Sequence, residues 1–364
     1  GNLFGIPFFV NPSWFVVLAL VTWSYGNGLA AQFPSLGASA WGLGFVAALL
    51  LFASVLAHEL GHSFVARQQG IAVNSITLFI FGGLAALGEE SKTPGQAFQV
   101  AIAGPLVSLF LFGGLTAFNS FVALPPAAAA IVGLLAYINL ALALFNLIPG
   151  LPLDGGNILK AIVWKITGKS YKGTAFASVV GQIIGWAAIV VGFSSVLGLI
   201  PFGSFWLILI GGFLLQNAQR SNQVATLQSK LSGLTAADVV AADSPIAKAD
   251  SSVREFVNNS VIGREIPWTK FLVVDAEDKL VGELSLDALK AIPTNDWWNV
   301  TVGEVMQPIA QLETVASDKP LLDVINLLEE KKISVLAVIR DNGTLVGLLE
   351  KASIAQRLAK TNPA

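Results

Sequence analysis

Six stretches of the chain are almost unbroken runs of apolar side chains, at about 9–25, 43–66, 97–123, 127–147, 174–197 and 202–219. A helix needs roughly 17 to 25 such residues to cross about 30 Å of hydrocarbon, so the pattern predicts about six transmembrane helices. Two neighbouring stretches read differently. Ile71 to Leu87 is dense in β-branched and aromatic residues and is interrupted by Gly82-Gly83, which predicts a β-hairpin or sheet edge. Non-helical backbone at membrane depth survives only where protein or a water-filled cavity surrounds it. At Asn146 to Gly156, NLIPGLPLDGG, Pro149, Pro152 and the closing glycines must break the fourth apolar segment as it ends.

From about Leu231 the long runs give way to short strands and amphipathic helices. An internal repeat appears there. AADVV at 236–240 matches VGEVM at 302–306 with an offset of 66, and KLVGELSLDAL at 279–289 matches TLVGLLEKASI at 344–354 with an offset of 65. Each copy reads as a helix, a strand and a strand-turn-strand around Asp275 to Lys279 or Asp341 to Gly343. The predicted organisation is therefore a membrane domain over 1–222, a polar linker over 223–232 and two small α/β modules over 233–292 and 298–360.

Composition sharpens that division. The chain is 54% hydrophobic and 12% charged, with a mean hydropathy of +0.70, far from the usage of a soluble domain. Residues 1–222 hold 7 of the 21 Lys and Arg and 4 of the 23 Asp and Glu, leaving 14 and 19 for the remainder. The first part belongs in a lipid bilayer and the second in water. The connections near Gly26 to Ala40, Asn119 to Pro126 and Ser194 to Ser204 carry no charge, whereas Arg67, Lys92, Lys160, Lys165, Lys169, Lys172 and Arg220 fall on the opposite side. By the positive-inside rule both termini and the His62 end of the second segment face the cytoplasm. A net charge of -2 without a dense basic run gives no sign of a nucleic-acid partner. The absence of cysteine excludes disulfides, thiolate zinc sites and a cysteine nucleophile. No cleavable signal peptide is expected, since the first apolar run has neither a basic lead-in nor a small-residue cleavage site.

The second apolar run ends in the only two histidines of the chain, as His58-Glu59-Leu60-Gly61-His62. An i, i+4 spacing puts both imidazoles on one helix face, and the intervening glutamate can take a proton from water at a metal. Ionisable groups in hydrocarbon cost about 2.5–3.5 kcal/mol each on insertion scales, so their presence points to function. A catalytic zinc wants three protein ligands and an open position. With Glu89 and Glu90 beside Lys92 in a surface loop, Asp154 is the remaining acidic candidate in the membrane part; an ordinary Asp-Gly turn is its other reading. Asn146 can donate an amide hydrogen bond to a developing oxyanion, or simply terminate a helix.

These residues carry a resemblance. HELGH in a transmembrane run, followed by Asn146 to Gly156 as N-x-x-P-x-x-P-L-D-G-G, resembles the site-2 protease family of intramembrane zinc metallopeptidases, peptidase family M50. GIPFFVNPSW at 5–14 is similar to that family's lead-in to its first helix, FGGLAAL at 81–87 to its hairpin, and AGPLVS at 103–108 to the loop that opens its third helix. The resemblance implies one zinc ion held by His58, His62 and Asp154, with Glu59 and Asn146 catalytic, and a transmembrane protein substrate. Asn157 departs from the family, which often carries Arg there. The two α/β modules resemble a tandem CBS pair, a regulatory module often sensitive to adenine nucleotides. The nucleotide-contacting pattern Gly-x-x-Ser/Thr-x-x-Asp is broken by Ala288 in one copy, and by Glu350 and Ser353 in the other. Those departures weigh against adenine nucleotide, and a docking or homodimerising role stands level with it.

The fold expected is thus a multi-pass α-helical membrane protein with a membrane-associated β-hairpin, followed by a soluble α/β CBS pair. The function expected is regulated intramembrane proteolysis. A CBS-gated metal transporter and a catalytically inactive scaffold are the competing readings.

Overall fold

The computed structural model describes residues 1–80, 82–201, 203–241, 243–262, 269–308 and 313–354. Phe81 of the expected hairpin, Phe202 at the start of the sixth expected span and residues 355–360 of the second module lie outside them. Two compact units result, Gly1–Thr226 and Leu227–Ala364.

In the first unit a short strand pair, β1 (Asn2–Leu3) and β2 (Ile6–Val10), leads into helix α1 (Pro12–Gln32). Asn11 starts that helix by accepting from the Ser13 N–H at 3.0 Å, and Pro12 takes a position where its missing N–H is not needed. Helix α2 (Ser39–Gln68) carries the His-Glu-x-x-His sequence near its end. The expected hairpin follows as β3 (Val73–Phe79) and β4 (Gly82–Leu87). Together the strands form one sheet of order β1-β2-β3-β4, in which β2 and β3 run parallel and β3 and β4 antiparallel. Helices α3 (Pro94–Phe121), α4 (Pro126–Asn146), α5 (Asp154–Thr167) and α6 (Ser170–Val196) complete the bundle before α7 (Phe205–Leu231).

Five of these helices, α1, α2, α3, α4 and α6, are long and apolar enough to cross a membrane. Phe110, Ile183, Trp186 and Leu199 are each more than half exposed on the bundle. Apolar surface on that scale calls for lipid rather than water, and the chain is an integral membrane protein. The sixth expected span is a correction. Residues 205–219 form only the apolar first half of α7, which continues without a break to Leu231, through most of the expected 223–232 linker. Helical periodicity outlasts the hydrophobic run there, so hydropathy and helix boundaries part company. A second correction concerns AGPLVS at 103–108. It lies inside α3, which opens nine residues earlier with Thr93 as N-cap and Pro94 as its first residue.

In the second unit the repeat becomes a pair of matching motifs. The first copy contains β5 (Ile246–Lys248), α8 (Val253–Phe256), β6 (Lys270–Val274), β7 (Leu280–Ser285) and α9 (Leu286–Leu289). The second follows α10 (Val302–Val305) and β8 (Gln307–Pro308) with β9 (Thr314–Ala316), α11 (Leu321–Glu330), β10 (Val335–Ile339) and β11 (Leu345–Glu350). In each copy a parallel pair (β5/β6, β9/β10) adjoins an antiparallel hairpin (β6/β7, β10/β11). The matching AADVV and VGEVM segments are both capped turns. Thr235 exchanges hydrogen bonds with Asp238 in one, and Thr301 with Glu304 in the other. Leu272, Val274 and Leu280 of one copy share a core with Ala337, Leu345 and Leu348 of the other.

Candidate metal centre

His58 and His62 follow each other by one turn of α2 and are almost fully buried. Asp154, 96 residues beyond His58, opens α5 and reaches back to both. What lets α5 start so close is the turn after α4. A side chain on Gly155 would collide with the Leu147 and Ile148 carbonyls, and one on Gly156 with the Gly150–Leu151 backbone. The two glycines that follow the aspartate therefore allow the chain to fold tightly back and aim it at α2.

The three ligand atoms form a nearly regular triangle. Asp154 Oδ2 lies 3.1 Å from His58 Nε2 and 3.3 Å from His62 Nε2, and the two Nε2 atoms are 3.3 Å apart. Tetrahedral coordination with bonds of about 2.0–2.1 Å sets ligand atoms about 3.3–3.4 Å from one another. The donors thus fit one zinc ion with a fourth position free, and among the described residues this is the one such cluster.

The outward nitrogens are also engaged. His62 Nδ1–H donates to the Val100 carbonyl at 2.6 Å, and His58 Nδ1–H donates to Ser108 Oγ at 2.9 Å, when each Nε2 is left for a metal. Both partners belong to α3, and sequence reasoning missed them. Their signal was the spacing Val100, Gly104, Ser108, one residue per turn on a single face, hidden by reading 103–108 as a loop.

A cavity of about 370 Å³ opens beside the triad, bordered by Glu59, Asn146, Pro152 and β4 residues Gly83 to Ala85. The Glu59 side chain lies against Gly83 so closely that a Cβ there would strike it, and the Ala85 backbone amide adds a hydrogen bond to its carboxylate. Asn146 Nδ2 donates to Leu142 O at 3.0 Å in its own helix. Glu90 also borders the cavity, paired at 3.1 Å with Lys160 of α5. The expected site residues are therefore all gathered here, and Glu90, set aside as a surface residue, joins the wall.

The chain matches Peptidase family M50 over residues 46–126 and 123–192, and the CBS domain over 302–360. It is 56% identical to the "Putative zinc metalloprotease sll0528" of Synechocystis sp. over 98% of this chain and 94% of that protein. It is 32% identical to the "Putative zinc metalloprotease Rip3" of Mycobacterium tuberculosis over 98% of this chain and 93% of that one. The chain belongs to peptidase family M50. It is a zinc metalloprotease of the site-2 type with a CBS domain. Among solved structures, the site-2 protease from Methanocaldococcus jannaschii aligns at 30% identity and a TM-score of 0.45, covering 61% of this chain and 93% of that one.

In the second unit, Glu350 borders a cavity of about 500 Å³ between the two copies, together with Glu283, Glu313 and Lys270. Lys270 is already paired with Glu283 at 2.6 Å, and Glu313 with Lys331 at 2.6 Å.

Proposed function

We propose that this M50 metalloprotease is an intramembrane endopeptidase that cuts transmembrane segments of other membrane proteins. The observation that carries the reading is a zinc-type triad and a glutamate set inside a bundle of apolar helices, with a sheet edge forming one wall of the same cavity.

His58, His62 and Asp154 hold the metal. When bound, zinc supplies Lewis-acid polarisation of a carbonyl and eases the ionisation of water. Glu59 takes the proton of the attacking water and passes it to the leaving amine. No covalent intermediate on the protein is needed. Asn146 spends one amide hydrogen on Leu142 O and keeps a second to steady charge on the substrate carbonyl oxygen.

A substrate helix hides its carbonyls and must unwind before it is cut. The unwound stretch pairs with a sheet edge by β-augmentation. β3 cannot offer that edge, because it has β2 on one side and β4 on the other. Of the sheet's two outer strands, β1 and β4, it is β4 that borders the cavity. Shortening the β3–β4 hairpin is expected to slow cleavage without releasing zinc; unchanged cleavage sinks the capture role.

The charge asymmetry of the connections supports cytoplasmic termini and a triad in the cytoplasmic half of the membrane. The carboxylates around the second-unit cavity weigh against a nucleotide phosphate, and support regulation through docking or pairing of the CBS units. A transporter is disfavoured because a permeation path needs polar groups along its length. The deciding experiment compares wild type with Glu59→Gln after purification, measuring zinc content and cleavage of a synthetic transmembrane substrate. Zinc retained by both and cleavage lost only in the variant is the expected result. Metal flux into liposomes with no cleavage by either form overturns it in favour of transport, and zinc without cleavage or flux in favour of a scaffold.

A further inference from the structure

The Ala103 to Ser108 segment has no part in the chemistry above, yet it faces the triad. Helix α3 lies along α2 so that His62 meets Val100 and His58 meets Ser108, with Gly104 between them against both Nε2 atoms. The two histidines are held by different means. The partner of His62 is a backbone carbonyl, which only accepts and which no side-chain replacement removes. The partner of His58 is a hydroxyl on a residue that is 0% exposed, so no bulk water is at hand to replace it.

We propose that Ser108 is a positioning residue of the metal centre, and that it keeps the lone pair of His58 Nε2 aimed at the ion. This rests on the reading of His58, His62 and Asp154 as zinc ligands. A neutral imidazole has one N–H and one lone pair. When Ser108 Oγ accepts from Nδ1–H, Nε2 keeps its lone pair for the metal. Without Ser108 Oγ, the His58 N–H has no partner in an apolar interior, and the ring gains by turning or by moving its proton to Nε2. Either change removes one of the three ligands. His62 is spared because Val100 O stays in place.

The test uses the intact, detergent-solubilised protein with zinc as the probe. Chelator competition is expected to show zinc bound 10- to 100-fold more weakly by Ser108→Ala, the size typical of second-sphere partners. Ser108→Thr, which keeps the oxygen, is expected within about threefold of wild type on the same scale. Because the chain has two histidines, selective 15N-histidine labelling reads each ring separately. In zinc-loaded Ser108→Ala the His58 Nδ1–H signal is expected to shift or exchange away, with that of His62 unchanged. Zinc affinity of Ser108→Ala within threefold of wild type overturns the proposal, as does equal disturbance of both histidines, which marks general distortion. Failure of the wild type to bind zinc overturns the metal-centre reading itself, a separate outcome.

Discussion

Gly104 offers the sharpest test of where the metal lies. A Cβ on this residue would stand 2.6 Å from His58 Nε2 and closer still to His62 Nε2. Carbon in van der Waals contact needs roughly 3.5 Å, so the methyl of Gly104→Ala is about 0.9 Å too near His58 Nε2 and further inside contact with His62 Nε2. It competes for the space in which the two lone pairs converge. The alternative is that α3 backs away from α2. Contacts of 2.6 Å to Val100 O and 2.9 Å to Ser108 Oγ then stretch to at least about 3.5 and 3.8 Å, past the useful range of a hydrogen bond. Two such bonds are worth about 2–3 kcal/mol together, which corresponds to a zinc affinity lower by roughly 30- to 150-fold. Chelator competition on the purified protein measures this directly. Gly114→Ala is the control on the same helix, because nothing lies within 4 Å of a Cβ added there. If Gly104→Ala holds zinc within threefold of wild type, the close approach of α3 to the metal-binding nitrogens is refuted.

Other consequences are independent of that one. Asn146→Leu is expected to lower kcat by about 10²–10³ with zinc content unchanged, the cost of losing one oxyanion donor; an unaltered kcat removes Asn146 from the chemistry. Glu59→Gln should lose about 10²–10⁴ of the cleavage rate while still binding zinc, and a variant that cleaves normally refutes its role as base. In the second unit Thr235→Ala and Thr301→Ala remove equivalent caps. Each is expected to cost about 1 kcal/mol of unfolding free energy, and a difference of more than about 1 kcal/mol between them in denaturant titration contradicts the equivalence of the two copies.

Much of this was legible along the chain. An i, i+4 histidine pair needs no tertiary information, since one helix turn already brings the rings together. The hairpin was readable from β-branched residues around two glycines, and the α/β repeat from its own self-similarity. Asp154 was different. Spacing alone left it as ligand or as turn, because a contact across 96 residues depends on how α4 ends and how α5 begins. Ser108 was not legible at all. Its hydroxyl becomes significant only once α3 is known to run on through Pro105 and to lie against α2. Nor was the outer position of β4 legible, since β2, which precedes α1 and α2 in sequence, covers the other side of β3.

The sequence by itself determined the partition between lipid and water, the helix that bears the two imidazoles, and the duplicated α/β module. Those follow from side-chain transfer energies and short-range periodicity, which act residue by residue. Only the tertiary structure decided which helix supplies the third ligand, which face of α3 supports the histidines and which outer strand borders the cavity. Those outcomes depend on close approach between segments distant in the chain, at Gly104, Gly155 and Gly156 above all. There the absence of a side chain counts for more than any pattern of polar and apolar positions.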